Sequence, residues 1–445
     1  MNKKSIIVAG AGHGGIAAAA HLAKQGFDVT ILEKKPKGKL GYDWTDIFAP
    51  GSLTGTGIPM PDESKYEYKE NMTFLSPSLR KPITQEVPQN ELEIKMERSD
   101  IYEHLINYAE KCGAKVEYEV TVKAPITIGN RVVGVETDKG ERLSPLVIDA
   151  CGLNSPLRTG MPNGILMEKN IGRNNRFYVY RAFYSRLGDS IPEHNYKVYM
   201  LQQGKAGIGW LATEKDFCDV LIGRFLPLSD EKVESALEHL KQDNPQLGDK
   251  LLRGGQYVEI PVRHPLSTMV CDGYVAIGDS AYMTVPIIGS GIANCLKAAK
   301  ILSDVIAKDK QLSFSAETLW EYQRRYYKEL GNSYAVLACV KDMLSELTPA
   351  ELDYMFDNNI LTAKELTIGA DSTKLTSMIN MSVKEAIAKL KALGSNKPLI
   401  KKLLKVASKM AKVILSTSAM PLFYTRSGVA KWANSYLKCF KRQDS

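Results

Sequence analysis

Ser5-Ile6-Ile7-Val8-Ala9-Gly10-Ala11-Gly12-His13-Gly14-Gly15, an alanine-rich run to Gln25, Gly26, and then Asp28-Val29-Thr30-Ile31-Leu32-Glu33 form the stretch on which this 445-residue chain turns. Ser5 to Gly10 is an apolar run of strand length, and Gly14 to Gln25 has helical character. Gly26 fits the left-handed position just past a helix end, and Asp28 to Glu33 is a second strand. Gly10, Gly12 and Gly15 satisfy Gly-x-Gly-x-x-Gly where the strand passes into the helix. Gly10 permits the tight turn, Gly12 lets a pyrophosphate approach the backbone, and Gly15 lets the helix pack close to the sheet. His13 and Gly14 lie inside that turn, at a helix start whose free N–H groups and dipole suit phosphates. Glu33 follows Gly12 by 21 residues, where an acid accepts hydrogen bonds from an adenosine ribose, and Lys34 beside it is counted with the same set. The unit predicts a bound dinucleotide and does not separate NAD from FAD.

Gly278-Asp279-Ser280-Ala281, followed by Pro286-Ile287-Ile288-Gly289-Ser290-Gly291-Ile292, makes the separation. With the first unit it resembles the family of FAD proteins that joins geranylgeranyl reductases, hydroxybenzoate hydroxylase-type monooxygenases and flavin halogenases. The resemblance implies that Asp279 binds the ribityl hydroxyls. It also implies that the turn from Pro286 opens a helix at Ile292, with Gly289, Ser290 and Gly291 facing the N1 and C2-carbonyl edge of the isoalloxazine. A helix start there would stabilise the anion of a reduced flavin. Arg98, at the head of a predicted helix, resembles the family arginine that leans on FAD.

Two further segments carry the likeness, which spans about residues 3 to 330. Ile148-Asp149-Ala150-Cys151-Gly152-Leu153-Asn154-Ser155-Pro156-Leu157-Arg158 resembles the family's Asp-Gly-x-x-Ser-x-x-Arg stretch. Cys151 stands where the monooxygenases carry an Asp tied to the cofactor and to its reduction by a nicotinamide, a departure that weakens the hydroxylase reading. Gly204 to Trp210, with Asp219 to Gly223, resembles the reductases' glycine and aromatic hairpin paired with a Val-Gly strand under the substrate.

The expected fold is α/β. A Rossmann-like FAD-binding domain is built from residues 1–48, 96–165 and 266–310, and a substrate domain from 49–95 and 166–265. The short alternating runs of the latter predict an antiparallel sheet. Residues 311–445 form a helical C-terminal region with a basic tail. The helix starting at Arg98, capped by Ser99 or Asp100, is expected to reach Cys112.

An apolar share of 44% with 24% charged residues speaks against extended disorder. Seven cysteines, odd in number and with no Cys-x-x-Cys pair, argue for reduced thiols in a cytoplasmic protein. The histidines lack metal-ligand spacing, so no metal is expected. The glycines near residue 12 fit a nucleotide turn better than a signal peptide, and no run approaches the ~18 apolar residues of a spanning helix.

Charge is unevenly placed: from Lys384 to Ser445 fourteen Lys and Arg face two acids, a balance of +12 that leaves −4 on the rest. Pro398 to Ser416 places apolar residues at 400, 403, 404, 407, 410, 411 and 414, with Lys401, Lys405, Lys409 and Lys412 opposite. Such a helix suits an anionic bilayer surface, with the protein peripheral at the inner face of the membrane, or equally a helix packed on its own domain. No recognition motif accompanies the charge, so nucleic acid is not an expected partner.

The function expected is that of an FAD-dependent oxidoreductase reducing carbon–carbon double bonds of a hydrophobic, isoprenoid-type substrate by hydride transfer from flavin N5. Such chemistry requires no acid–base pair, and no catalytic side chain is assigned. Tyr42, Trp44 and Trp210 are candidates for lining the substrate pocket. With no second glycine unit present, NAD(P)H and ferredoxin both stand as electron donors. Two alternatives remain: a flavin monooxygenase of an aromatic or polyketide substrate, and a flavin electron-transfer subunit without its own small-molecule substrate. Halogenase chemistry is disfavoured because Trp-x-Trp-x-Ile-Pro is missing.

Overall fold

The computed structural model describes residues 4–169, 171–172, 175–370, 389, 391–394 and 396–440. The parts of the basic tail at 384–388 and 441–445 lie outside the described residues.

A six-stranded sheet runs in the order Val270–Cys271, Tyr274–Ala276, Leu146–Asp149, Ser5–Ala9, Asp28–Glu33, Lys115–Tyr118. All its pairs are parallel except the first. Ile6, Val8, Val147, Ile148 and Val275 are fully buried, as expected of parallel strands covered on both faces. The helices His13–Lys24 and Ile292–Ile306 pack on each other over this sheet. The first ends as its glycine foretells. Gly26 has φ +86° and donates to Ala23 O, and Phe27 donates to Leu22 O, the two reciprocal bonds of a Schellman end.

A seven-stranded sheet has the order Leu247–Pro261, Arg176–Arg186, Phe217–Arg224, Gly207–Thr213, Tyr196–Met200, Thr73–Leu75, Ile83–Thr84. It is antiparallel as expected with one exception, the parallel pairing of Tyr196–Met200 with Thr73–Leu75. A chain excursion after Phe48 thus returns to extend the edge of a sheet whose other strands lie more than a hundred residues on. A smaller sheet joins Thr45–Phe48, Ile94–Glu97 and Tyr66–Tyr68. The helix Ala316–Tyr326 passes through a π-turn at Tyr327–Gly331 into Asn332–Ser345.

Two local expectations are corrected. The helix Arg98–Lys111 begins one residue before Ser99, so Ser99 and Asp100 lie in its first turn and Glu97 is the N-cap. The strand Ile94–Glu97 runs straight into it and leaves no residue for a separate capping turn. The basic helix exists as Lys397–Ser418, and Ile400, Leu403 and Met410 pack as expected beside Leu399, Val406 and Val413, but two lysines join that packed side. Lys402 reaches Glu351 at 2.6 Å and Lys409 reaches Asp342 at 2.7 Å. Leu404, Ala407, Ala411 and Ile414, expected on the apolar packed side, are exposed.

Candidate functional site

The glycine turn is shaped by its neighbours as much as for a ligand. Gly10 has φ +90°, and a Cβ there would lie 2.6 Å from Ala150 O. A Cβ on Gly15 would lie 2.6 Å from the Cβ of Ala150, and one on Gly14 would lie 2.9 Å from the Cβ of Cys295. The helix His13–Lys24, the turn at Ala150 and the helix Ile292–Ile306 therefore meet at closest approach here. Gly12 is the N-cap and supplies no side-chain cap, so the first helical N–H groups keep their bonding capacity for a ligand.

Glu33 is buried below the same turn. Its Oε2 accepts from Ala11 N and its Oε1 from Lys35 N, both at 2.8 Å. Each oxygen retains a lone pair, so bracing the turn does not exclude a ribose contact. Lys34 is exposed, whereas Lys35 turns back to donate to Gly41 O at 2.7 Å.

His13 stacks on Tyr102 with ring centroids 4.4 Å apart, and its buried Nε2 has no partner among the described residues. Burial, with the Arg98 charge second, lowers its pKa to about 4. It is a neutral imidazole at physiological pH, with one buried polar atom unpaired.

One helical turn from Tyr102, Arg98 grips Asp46 through Nε–Oδ2 at 2.5 Å and a second bond to Oδ1 at 2.6 Å. Its guanidinium lies 4.7 Å from the Trp44 ring and 5.4 Å from Tyr42. Burial works against the Asp46 anion, but the Arg98 charge and hydrogen bonds outweigh it, so the carboxyl stays below its ordinary pKa. Trp44 is buried against Val179, Phe183 and Val258, while Tyr42 is more than a third exposed. Asp43 ties this strap down, bonding Arg253 at 2.8 Å and Gly254 N at 3.1 Å. Next to it a second buried pair forms: Arg181 bonds Asp219 at 3.0 and 2.5 Å and also the Thr45 carbonyl at 2.5 Å. Trp210 lies 4.9 Å from that guanidinium, so the structure brings Trp44 and Trp210 to one buried array.

Asp279 stands at the end of the Tyr274–Ala276 strand and accepts from Thr284 Oγ1 at 3.0 Å. Burial raises its pKa despite that bond and the Arg98 charge. Burial raises the Tyr42 pKa, with the Arg98 charge working against that rise and the Asp279 charge adding to it. Beyond Asp279 the turn from Pro286 to Gly291 is held by Val285 N to Ser290 O at 2.8 Å and Gly289 N to Val285 O at 2.9 Å. Gly291 then caps the helix that starts at Ile292.

That turn forms one wall of an apolar cavity. Pro286, Ile287, Ile288 and Gly289 face Phe177, Phe225, Leu344 and Leu352 across it. Sequence reasoning missed these four because they come from three distant segments, none with a local mark of a pocket. It also missed the centre formed by Asp149, fully buried and accepting from Ser155 Oγ at 2.5 Å, Tyr274 OH at 2.7 Å, Ser280 Oγ at 2.9 Å and Cys151 N at 3.0 Å. This carboxylate ties the Gly152 turn to the Asp279 turn. Cys151 directs its thiol to Ala9 O at 3.3 Å, and burial with Asp149 beside it pushes its pKa well up, so it is no thiolate. Among the described residues no group of three or more His, Cys, Asp or Glu has metal-site geometry. A glycine cradle, an uncapped helix start, an unpaired buried imidazole and a buried carboxylate with one donor suit an elongated phosphate- and hydroxyl-bearing cofactor.

Stretches of the chain, and its fold as a whole, resemble known proteins. Residues 8–57 match the model of the NAD(P)-binding Rossmann-like domain, and residues 255–374 that of squalene epoxidase. The chain is 24% identical over 432 residues to the digeranylgeranylglycerophospholipid reductase of Sulfolobus acidocaldarius, covering 92% of each. Its fold is that of a geranylgeranyl bacteriochlorophyll reductase-like protein from Thermoplasma acidophilum, with TM-score 0.73 and 22% identity over 90% of this chain and 98% of that one. A flavin-dependent brominase follows at TM-score 0.63 and 16% identity, covering 89% of this chain and 99% of that one.

Proposed function

We propose that this chain, an FAD-dependent oxidoreductase of the geranylgeranyl reductase-like kind, reduces carbon–carbon double bonds in a hydrophobic, isoprenoid-type substrate. The observation that carries the reading is the apolar cavity walled by Pro286 to Gly289, the turn whose likeness is to the isoalloxazine-facing turn of the family. An alkene held by Phe177, Phe225, Leu344 and Leu352 would lie beside that turn on a largely apolar lining.

FAD, when bound, supplies a hydride at N5. The chain's own residues bind and orient. The turn from Gly10 to Gly15, with His13, would take the pyrophosphate, Glu33 the ribose, and Asp279 the ribityl hydroxyls. Arg98, fixed by Asp46, would present a cation to the cofactor without swinging free. Tyr42, Trp44 and Trp210 would close the side of the cleft, and the start of the helix at Ile292 would stabilise negative charge on a reduced ring. On this reading residues 1–48, 96–165 and 266–310 form the cofactor unit, and NAD(P)H or ferredoxin supplies electrons.

The test is anaerobic. Reduced enzyme mixed with polyprenyl alkenes should regain the oxidised flavin's absorbance as the double bond saturates; no reoxidation by any alkene would defeat the proposal. One observation favours a second reading, an oxygen-using monooxygenase: the match of residues 255–374 to the squalene epoxidase model. Substrate-dependent oxygen consumption with an oxygenated product would identify it.

A further inference from the structure

The helix Lys397–Ser418 carries two exposed stripes. Leu404 and Leu415 are 65% and 72% exposed on one, with Ala411 between them, and Lys401, Lys405 and Lys412 are exposed on the next. Helical spacing sets the stripes side by side. The loop that follows exposes Leu422 by 65% and Phe423 by 82%. It does not fray outward. Trp320 Nε1 donates to Pro421 O at 2.9 Å, and the Tyr424 ring meets Trp320 at 5.9 Å, so the residues flanking Leu422 and Phe423 are both anchored to the body. Two large apolar side chains are thereby held in water by their anchored neighbours, where burial of the exposed area would be favourable.

We propose that this face is a docking surface for an anionic bilayer, with Leu422 and Phe423 entering the acyl boundary and Lys401, Lys405 and Lys412 lying at the headgroups. Charge selects the occupant. The described end of the chain is basic while the rest is mildly acidic, so a negative surface both attracts the face and orients the body away. A second copy docked by two-fold symmetry would set the three lysines against their own counterparts. The proposal deepens the reading of the cavity by naming where a hydrophobic substrate is met, and it rests on that reading only for its purpose.

The experiment uses the full FAD-loaded chain and needs no turnover. It is sedimented with vesicles of phosphatidylglycerol and phosphatidylcholine, or of phosphatidylcholine alone. Wild type should bind the anionic vesicles and not the zwitterionic ones. Leu422→Ser with Phe423→Ser should lower partitioning at least tenfold with flavin absorbance and melting temperature unchanged, and Phe423→Trp should shift its emission to the blue on anionic vesicles. Unchanged binding by the double variant, or no emission shift, would overturn the proposal. So would a lipid-free wild-type dimer that the double variant dissociates, which would assign the face to a second copy. A chain that reduces alkenes in detergent yet ignores vesicles would refute docking and leave the reductase reading intact.

Discussion

Arg98 holds Asp46 in a two-point ion pair at 2.5 and 2.6 Å, joining the first turn of one helix to a strand 52 residues earlier. Removing one partner leaves the other charged and nearly buried. Arg98→Ala should therefore cost about 3 kcal/mol, whereas Arg98→Ala with Asp46→Asn should cost less than the two single changes added together. Asp46 also has a signed pH dependence. Its pKa is depressed in the folded protein, so its stabilisation is present above the unfolded carboxyl value and is lost as pH falls through the folded one. Chemical unfolding across the acid range should show this limb in wild type and lose it in Asp46→Asn.

Asp279 should behave in the opposite sense. Burial raises its carboxyl pKa, so the anion is a cost to the cofactor-free fold at neutral pH, and that cost disappears below the unfolded carboxyl value. Asp279→Asn keeps an acceptor for Thr284 and should raise the melting temperature of the cofactor-free protein at neutral pH. It should at the same time weaken FAD binding, on the order of tenfold, by removing a charge-assisted acceptor. Melting curves with and without FAD check both halves; an Asn variant that binds FAD as tightly as wild type would remove Asp279 from the cofactor site.

His13 titrates low, from an ordinary 6.5 to about 4, because burial disfavours its cation. Between those values the unfolded chain binds a proton that the folded chain refuses, so falling pH destabilises the fold across that interval. His13→Asn should flatten the stability profile there. FAD affinity of wild type should stay level from about pH 6 to 8, as measured by flavin fluorescence; an inflection in that range would mean the imidazole ionises at the site.

The cavity gives a prediction that separates substrate from cofactor. Leu344→Trp fills space in the cavity, whose lining includes no residue of the Gly10–Gly15 turn. It should raise KM for long-chain alkenes by about tenfold, a side chain's worth of lost apolar contact, while FAD affinity stays unchanged. Steady-state kinetics against alkenes of increasing length would show it, and a uniform loss at every length would speak for a packing defect instead.

Much of this was legible in the sequence because its signals are local. Ser5 to Glu33 writes strand, turn, helix and strand in adjacent periodicities, and the turn at Gly289 announces the helix at Ile292. What stayed hidden depends on contacts between remote positions. Asp149 reads as the end of a buried strand, yet its meaning lies in Tyr274 and Ser280, 125 and 131 residues away. Asp46 carries no local mark of its pairing with Arg98, 52 residues on. The basic helix is legible, and Ile400, Leu403 and Met410 pack as its periodicity expects, but periodicity sends Lys409 to solvent and cannot know that Asp342 waits for it.

The account stands on two turns from opposite ends of one fold sharing a single FAD whose ring borders the apolar cavity. A crystal structure of the FAD complex tests it most directly. The account predicts pyrophosphate over Gly12 to Gly15, ribityl hydroxyls at Asp279, and the isoalloxazine edge at Gly289 opening toward Phe177 and Phe225. A ring seated elsewhere, with the cavity sealed from it by protein, would contradict it.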